Sequence, residues 1–146
     1  MDGFALVPDF DMGAAKAGVA LSAELGARNI VCLLFDPDHQ RGLERMAELA
    51  ETAWLEGLGF AIEFAGISEI RSLKAAQHWL KRLAQPHAGV IVDILHLAQA
   101  GETPDDLAAL PPPRPHSGGA TQRCSERAPQ RRSLLRRLLA RAPDAG

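Results

Sequence analysis

No run of apolar residues in this sequence approaches the roughly 18 to 20 that a membrane span requires, and Met1-Asp2-Gly3 begins neither a basic region nor a signal-like apolar core. These absences predict a cytoplasmic protein with no membrane partner. Cysteine is scarce too: Cys32 lies in an apolar run, Cys124 in a polar tail, and no CxxC spacing occurs. Neither a zinc-thiolate site nor a disulfide framework is therefore indicated, and Cys32 reads as a small core residue. A Gly-rich phosphate loop, a Ser/His/Asp order and a nucleotide fingerprint are all missing.

Basic residues are short in one part of the chain and crowded in the other. Residues 1–110 hold 8 Lys/Arg against 16 Asp/Glu, while residues 111–146 hold 8 Arg against 2 acids, so a formal net charge of −2 conceals an acidic body and a basic tail. An acidic body argues against nucleic acid as a partner, because phosphate binding needs a basic face. With 146 residues, 47% of them hydrophobic, the chain can bury one core. We expect one domain over 1–110 and a tail over 111–146 that is disordered or out of frame.

What is present is a run of alternating units. Phe4–Val7, closed by Pro8, reads as a short strand, with the chain opening in mid-fold. Asp11 can cap a helix to about Leu25, and Gly26 stops it. Asn29–Phe35 is continuously apolar at strand length, as burial on both faces requires. Asp36 as N-cap and Pro37 at the first helical position then predict a helix with Leu43, Met46, Ala47, Ala50 and Trp54 at helical spacing, ended by Gly57 and Gly59.

Phe60–Phe64 is the next apolar run. Ser68 is expected to cap a helix that buries Ile70, Leu73, Leu80 and Leu83 and ends at Pro86. Gly89–Leu95 is the fourth run, and Thr103-Pro104-Asp105-Asp106 predicts the start of a helix through Leu110. From Pro111 the pattern stops. Ser133–Arg141 has the form of a short basic amphipathic helix, but a structureless tail is the preferred reading.

Ile30, Phe60 and Val90 open runs about thirty residues apart, the length of one βα unit. Such repeats imply a parallel sheet with right-handed crossovers. Four units make half of a (β/α)8 barrel, while a complete doubly wound sheet also fits the length.

Two acids sit where these runs end, Glu63 and Asp93. A carboxylate in apolar surroundings needs solvent, a donor or a cation, and two of them one repeat apart suggest a shared cation. Asp38 and His39 follow a strand end and are expected at the same mouth. His78 and His87 have no partner spacing, and Trp54 and Trp79 read as helix-packing residues.

From about Lys16 to Leu110 the chain resembles the xylose isomerase-like TIM barrels, the sugar phosphate isomerase/epimerase superfamily that also holds inosose dehydratases and hydroxypyruvate isomerases. Leu25-Gly-Ala-Arg-Asn-Ile-Val, Leu49-Ala50 to Gly57, Ala61-Ile-Glu-Phe-Ala and Val92-Asp-Ile-Leu-His-Leu-Ala-Gln-Ala-Gly with Thr103-Pro104 carry the resemblance. It implies a partial TIM barrel of about four βα units. It also implies a divalent metal, Mn²⁺ or Mg²⁺, with Glu63 and Asp93 matching the first two of four ligands. His96 matches a substrate-contacting histidine, and Glu63 can also serve as the catalytic base.

The implied substrate is a sugar, sugar phosphate or polyol-derived ketone, and the implied reaction is proton transfer beside its carbonyl. A dehydratase of the same superfamily is the alternative chemistry. Where relatives have Arg, this chain has Gln99, and no strand surrounds His116 to make it a third ligand. The strands bearing the last two ligands are missing. This break fits a truncated or frameshifted chain, and the alternative to an isomerase or dehydratase is a catalytically inactive barrel fragment that self-associates through open sheet edges.

Overall fold

The computed structural model describes residues 2–108, all within one compact unit. The tail from Pro111, with His116 and the basic segment at 133–141, lies outside the described residues. Four βα units follow in order. They comprise β1 (Asp2–Leu6), α1 (Met12–Glu24), β2 (Asn29–Leu34), α2 (His39–Leu55), β3 (Gly59–Glu63), α3 (Leu73–Leu83) and β4 (Ala88–Ile91), then α4 (Ile94–Gln99) and α5 (Pro104–Ala108).

Strand order decides between the two architectures that periodicity left open. The sheet runs β1-β2-β3-β4 with every pair parallel, in registers such as Phe4 opposite Cys32, Cys32 opposite Ile62 and Glu63 opposite Ile91. A doubly wound sheet reverses its strand order at a switch point so that helices cover both faces. Here the order never reverses, and the result is a partial TIM barrel.

Alternation along the strands agrees. Leu6, Ile30, Cys32, Leu34, Phe60 and Ile62 share one parity and join one buried core with Val19, Met46, Leu49, Ala50 and Ala76 of the helices. Full burial of a side chain such as Phe60 contributes about 1.5–3 kcal/mol. Contact with the helices is close: a Cβ on Gly42 of α2 would lie 2.8 Å from Leu34 Cδ1, so the absence of a side chain there lets α2 settle onto β2. The opposite parity forms the other face, on which Val31 is buried while Ala5, Leu33, Ala61, Glu63 and Ile91 are half-buried to exposed.

Three element boundaries differ from the sequence expectation. The N-cap of α2 is Asp38, whose carboxylate accepts from the backbone N–H of Gln40 and Arg41 at 3.1 Å. Asp36 is instead buried and bound by two arginines, so Pro37 precedes the helix. The N-cap of α3 is Ser72, whose hydroxyl accepts from Ala75 N–H, not Ser68. Ser68 is buried in the preceding turn, where its hydroxyl lies 2.7 Å from Ile70 O and accepts from Ile70 N–H at 3.2 Å.

The third difference bears on the site. The apolar run 89–95 is not one strand: β4 ends at Ile91, and Asp93 caps α4 by accepting from Leu95 N–H at 2.7 Å. A short carboxylate that can satisfy a free helix N–H competes with strand continuation, and here it prevails.

Candidate metal centre

Glu63 is the last residue of β3, and Asp93 stands two residues beyond the end of β4. Neighbouring parallel strands deliver their C-terminal ends to the same side of a sheet, so both carboxylates arrive at one rim. His96 follows one helical turn after Asp93, on α4. One ligand atom from each of Glu63, Asp93 and His96 lies within 4.8 Å of the other two.

The three side chains differ in what else holds them. Asp93 uses Oδ1 to cap α4 and keeps its second oxygen available. His96 Nδ1 lies 3.4 Å from Gln99 Oε1, a contact that favours the proton on Nδ1 and a lone pair on Nε2. Glu63 is half-buried and has no hydrogen-bond partner among the described residues. A half-buried carboxylate without a donor beside a second carboxylate and an imidazole is a fitting environment for a cation.

The donor set of two carboxylates and one imidazole suits a hard or borderline divalent ion. Sequence reasoning placed the two acids at the metal and His96 at the substrate. The geometry brings all three to one point, so His96 is positioned as a third donor. The role of Gln99 was missed, although its spacing of three residues from His96 on a helix was a usable signal.

The other residues read as functional in the sequence are not among these three. His39 Nε2 is 3.2 Å from Glu69 Oε2, and its ring meets Trp79 edge-on with centroids 5.5 Å apart. This ties the loop after β2 to the loop after β3. Trp79 is buried in the core, as its helix-packing role required. Trp54 stacks on His87 at 4.7 Å, while His87 Nε2 lies 3.1 Å from Ala50 O, so His87 does have partners.

Asp36 is the other strongly held acid. Arg41 donates to it through Nε and Nη2 at 2.7 and 2.6 Å, and Arg45 through Nη1 at 3.1 Å. Hydrogen bonding from Arg41 holds the Asp36 carboxyl below its ordinary range, against the opposing effect of burial. Arg45 also donates to the carbonyls of Val7 and Pro8, so the network fastens the loop after β1 to α2. Burial pushes the Cys32 thiol up, consistent with an unreactive core residue.

The fold has counterparts among solved structures. The IOLI protein, solved with a binding zinc atom, superposes with a TM-score of 0.62 at 15% identity over 75% of this chain and 46% of its own. The described unit has the xylose isomerase-like TIM-barrel fold. A xylose isomerase domain protein from Alicyclobacillus acidocaldarius subsp. acidocaldarius shares this fold with a TM-score of 0.56 at 23% identity, over 73% of this chain and 46% of that one. A xylose isomerase-like TIM barrel/4-hydroxyphenylpyruvate dioxygenase fusion protein does so with 0.59 at 20% identity, over 68% of this chain and 17% of that one. The chain thus spans about half the length of the IOLI protein. No protein-family profile and no curated protein matches the sequence. Among the described residues no helix is long and apolar enough to cross a membrane.

Proposed function

We propose that this fold serves metal-assisted proton transfer beside the carbonyl of a sugar or polyol-derived ketone, as in an isomerase or epimerase, with Glu63, Asp93 and His96 holding the ion. The observation that carries the reading is the convergence of three ligand atoms within 4.8 Å at the rim of β3 and β4. The imidazole moves the preference toward Mn²⁺ and away from Mg²⁺, which favours all-oxygen surroundings. When bound, a divalent ion supplies Lewis acidity to a carbonyl oxygen and raises the acidity of the neighbouring C–H.

The residues supply the rest. Glu63 has no competing hydrogen bond among the described residues, so its carboxylate is available both to hold the ion and to accept a proton. Asp93 is held by its cap to Leu95 N–H, and His96 is oriented by Gln99, which limits the rotamers each must give up on binding.

Calorimetric titration of Mn²⁺ into the wild-type chain and Glu63→Gln tests the site. Solvent deuterium incorporation beside the carbonyl, followed by NMR over a panel of ketoses, tests the reaction. Saturable binding that is lost in Glu63→Gln, with deuterium incorporation in the wild type alone, is the expected result. Absence of saturable binding in the wild type overturns the site, and binding without incorporation or elimination across the panel leaves an inactive metal-binding barrel fragment.

A further inference from the structure

Among the described residues, β1 pairs with β2 alone and β4 with β3 alone, so the sheet has two edges, and the helices of the buried core pack on one of its faces. The other face is apolar around Glu63: Val31 is buried on it, and Ala5, Leu33, Ala61 and Ile91 are half-buried to exposed. An exposed edge beside an apolar face is a template for adding strands.

Apolar side chains are also exposed on the elements that follow both edge strands. Of the seven large hydrophobic residues exposed among the described residues, four are of this kind: Leu21 and Leu25 at 55% and 76% on and just after α1, and Ile94 and Leu95 at 80% and 60% on α4. The helix after β1 is unusual in a second way. Its buried side carries Ala15 and Val19, yet Ala14, Ala17, Leu21 and Leu25 form another apolar stripe at helical spacing, all exposed. A helix that is apolar on both sides normally has a neighbour on each.

We propose that two copies of this chain close one barrel, with β4 of each copy lying beside β1 of the other. Strand arithmetic selects the occupant. A strand added beside β4 and a strand added beside β1 must both run parallel to the sheet, and a second copy related by a two-fold axis supplies both at once. Four strands from each copy reach the eight at which parallel barrels of this class close, and closure removes every edge.

The pairing has a consequence for the metal centre. Because all strands are parallel, both Glu63–Asp93–His96 clusters stand at the same rim, and the loop after β1 of the second copy borders the open side of each. The assembly does not depend on metal binding, so its test is independent of the proposed reaction.

Sedimentation velocity on the 146-residue chain over a wide concentration range, without added metal, decides the matter. The expected result is a reversible dimer whose thermal midpoint rises with protein concentration. Ala5→Arg places a charge inside the closed barrel but in solvent in the single copy, and it should weaken dimerisation at least tenfold. The paired substitution Leu21→Glu with Leu25→Glu probes the helix face in the same way and decides the case if Ala5→Arg lowers the far-UV dichroism of the dissociated protein. A folded wild-type monomer at every concentration, an assembly larger than two, or a dimer unaffected by both variants overturns the proposal.

Discussion

Asp36 and Arg41 form a two-pronged ion pair at 2.6 and 2.7 Å across the start of α2, with the carboxylate fully buried and the guanidinium partly in solvent. The pair gives a pH signature. Arg41 depresses the folded-state pKa of Asp36, so the stabilisation is complete above the ordinary aspartate value of about 3.9 and is lost as pH falls below it toward the depressed value. Asp36→Asn should lower the thermal midpoint at neutral pH, and the gap to wild type should narrow steadily as the pH drops below about 4. Melting curves followed by circular dichroism check this; a gap that is constant across the acid range contradicts it.

Asp93 has two tasks that substitutions can separate. Asparagine preserves a side-chain oxygen for the Leu95 N–H but removes the charge offered to a cation, whereas alanine removes both. Asp93→Asn should therefore keep the stability of the apo chain while weakening Mn²⁺ binding, and Asp93→Ala should also cost about 1 kcal/mol of stability. Denaturant unfolding combined with calorimetry distinguishes the two effects.

Gln99 touches His96 at Nδ1 and is exposed. Its removal should leave the fold intact and reduce metal affinity, since loss of a group that orients a ligand commonly costs about 10- to 100-fold. Gln99→Ala should show the lower end of that range, because the contact is long at 3.4 Å. Calorimetric affinity measured beside an unchanged melting curve is the check.

Ala84 ends α3 with φ of 53°, a left-handed conformation that an L side chain adopts only at a cost. Ala84→Gly should raise stability by roughly 0.5–1 kcal/mol, as glycine relieves the Cβ clash at a helix terminus. Denaturant unfolding with an unchanged m-value is the expected form of the result.

Much of the fold is written locally and could be read from the chain. The four apolar runs became four strands, Asp11 capped α1 as its position implied, and Glu63 stands at a strand end. These features depend on residues close in sequence, where side-chain period and capping chemistry act directly. Asp36 shows the limit of such reading. A local pattern of Asp-Pro predicted a helix cap, but Arg41 and Arg45, one turn apart on α2, drew the carboxylate into a buried pair and left the cap to Asp38.

The sequence by itself determined the βα repeat, the acidic character of the body and the placement of Glu63 and Asp93 one repeat apart, because period, charge and spacing are properties of the chain alone. Only the tertiary structure decided that the sheet is ordered β1 to β4 without reversal, that β4 stops early so that Asp93 caps a helix, and that His96 joins the two carboxylates within 4.8 Å. Strand order and the meeting of side chains from different units depend on which surfaces pack together, and a repeat of βα units is compatible with more than one packing until the helices settle on one face.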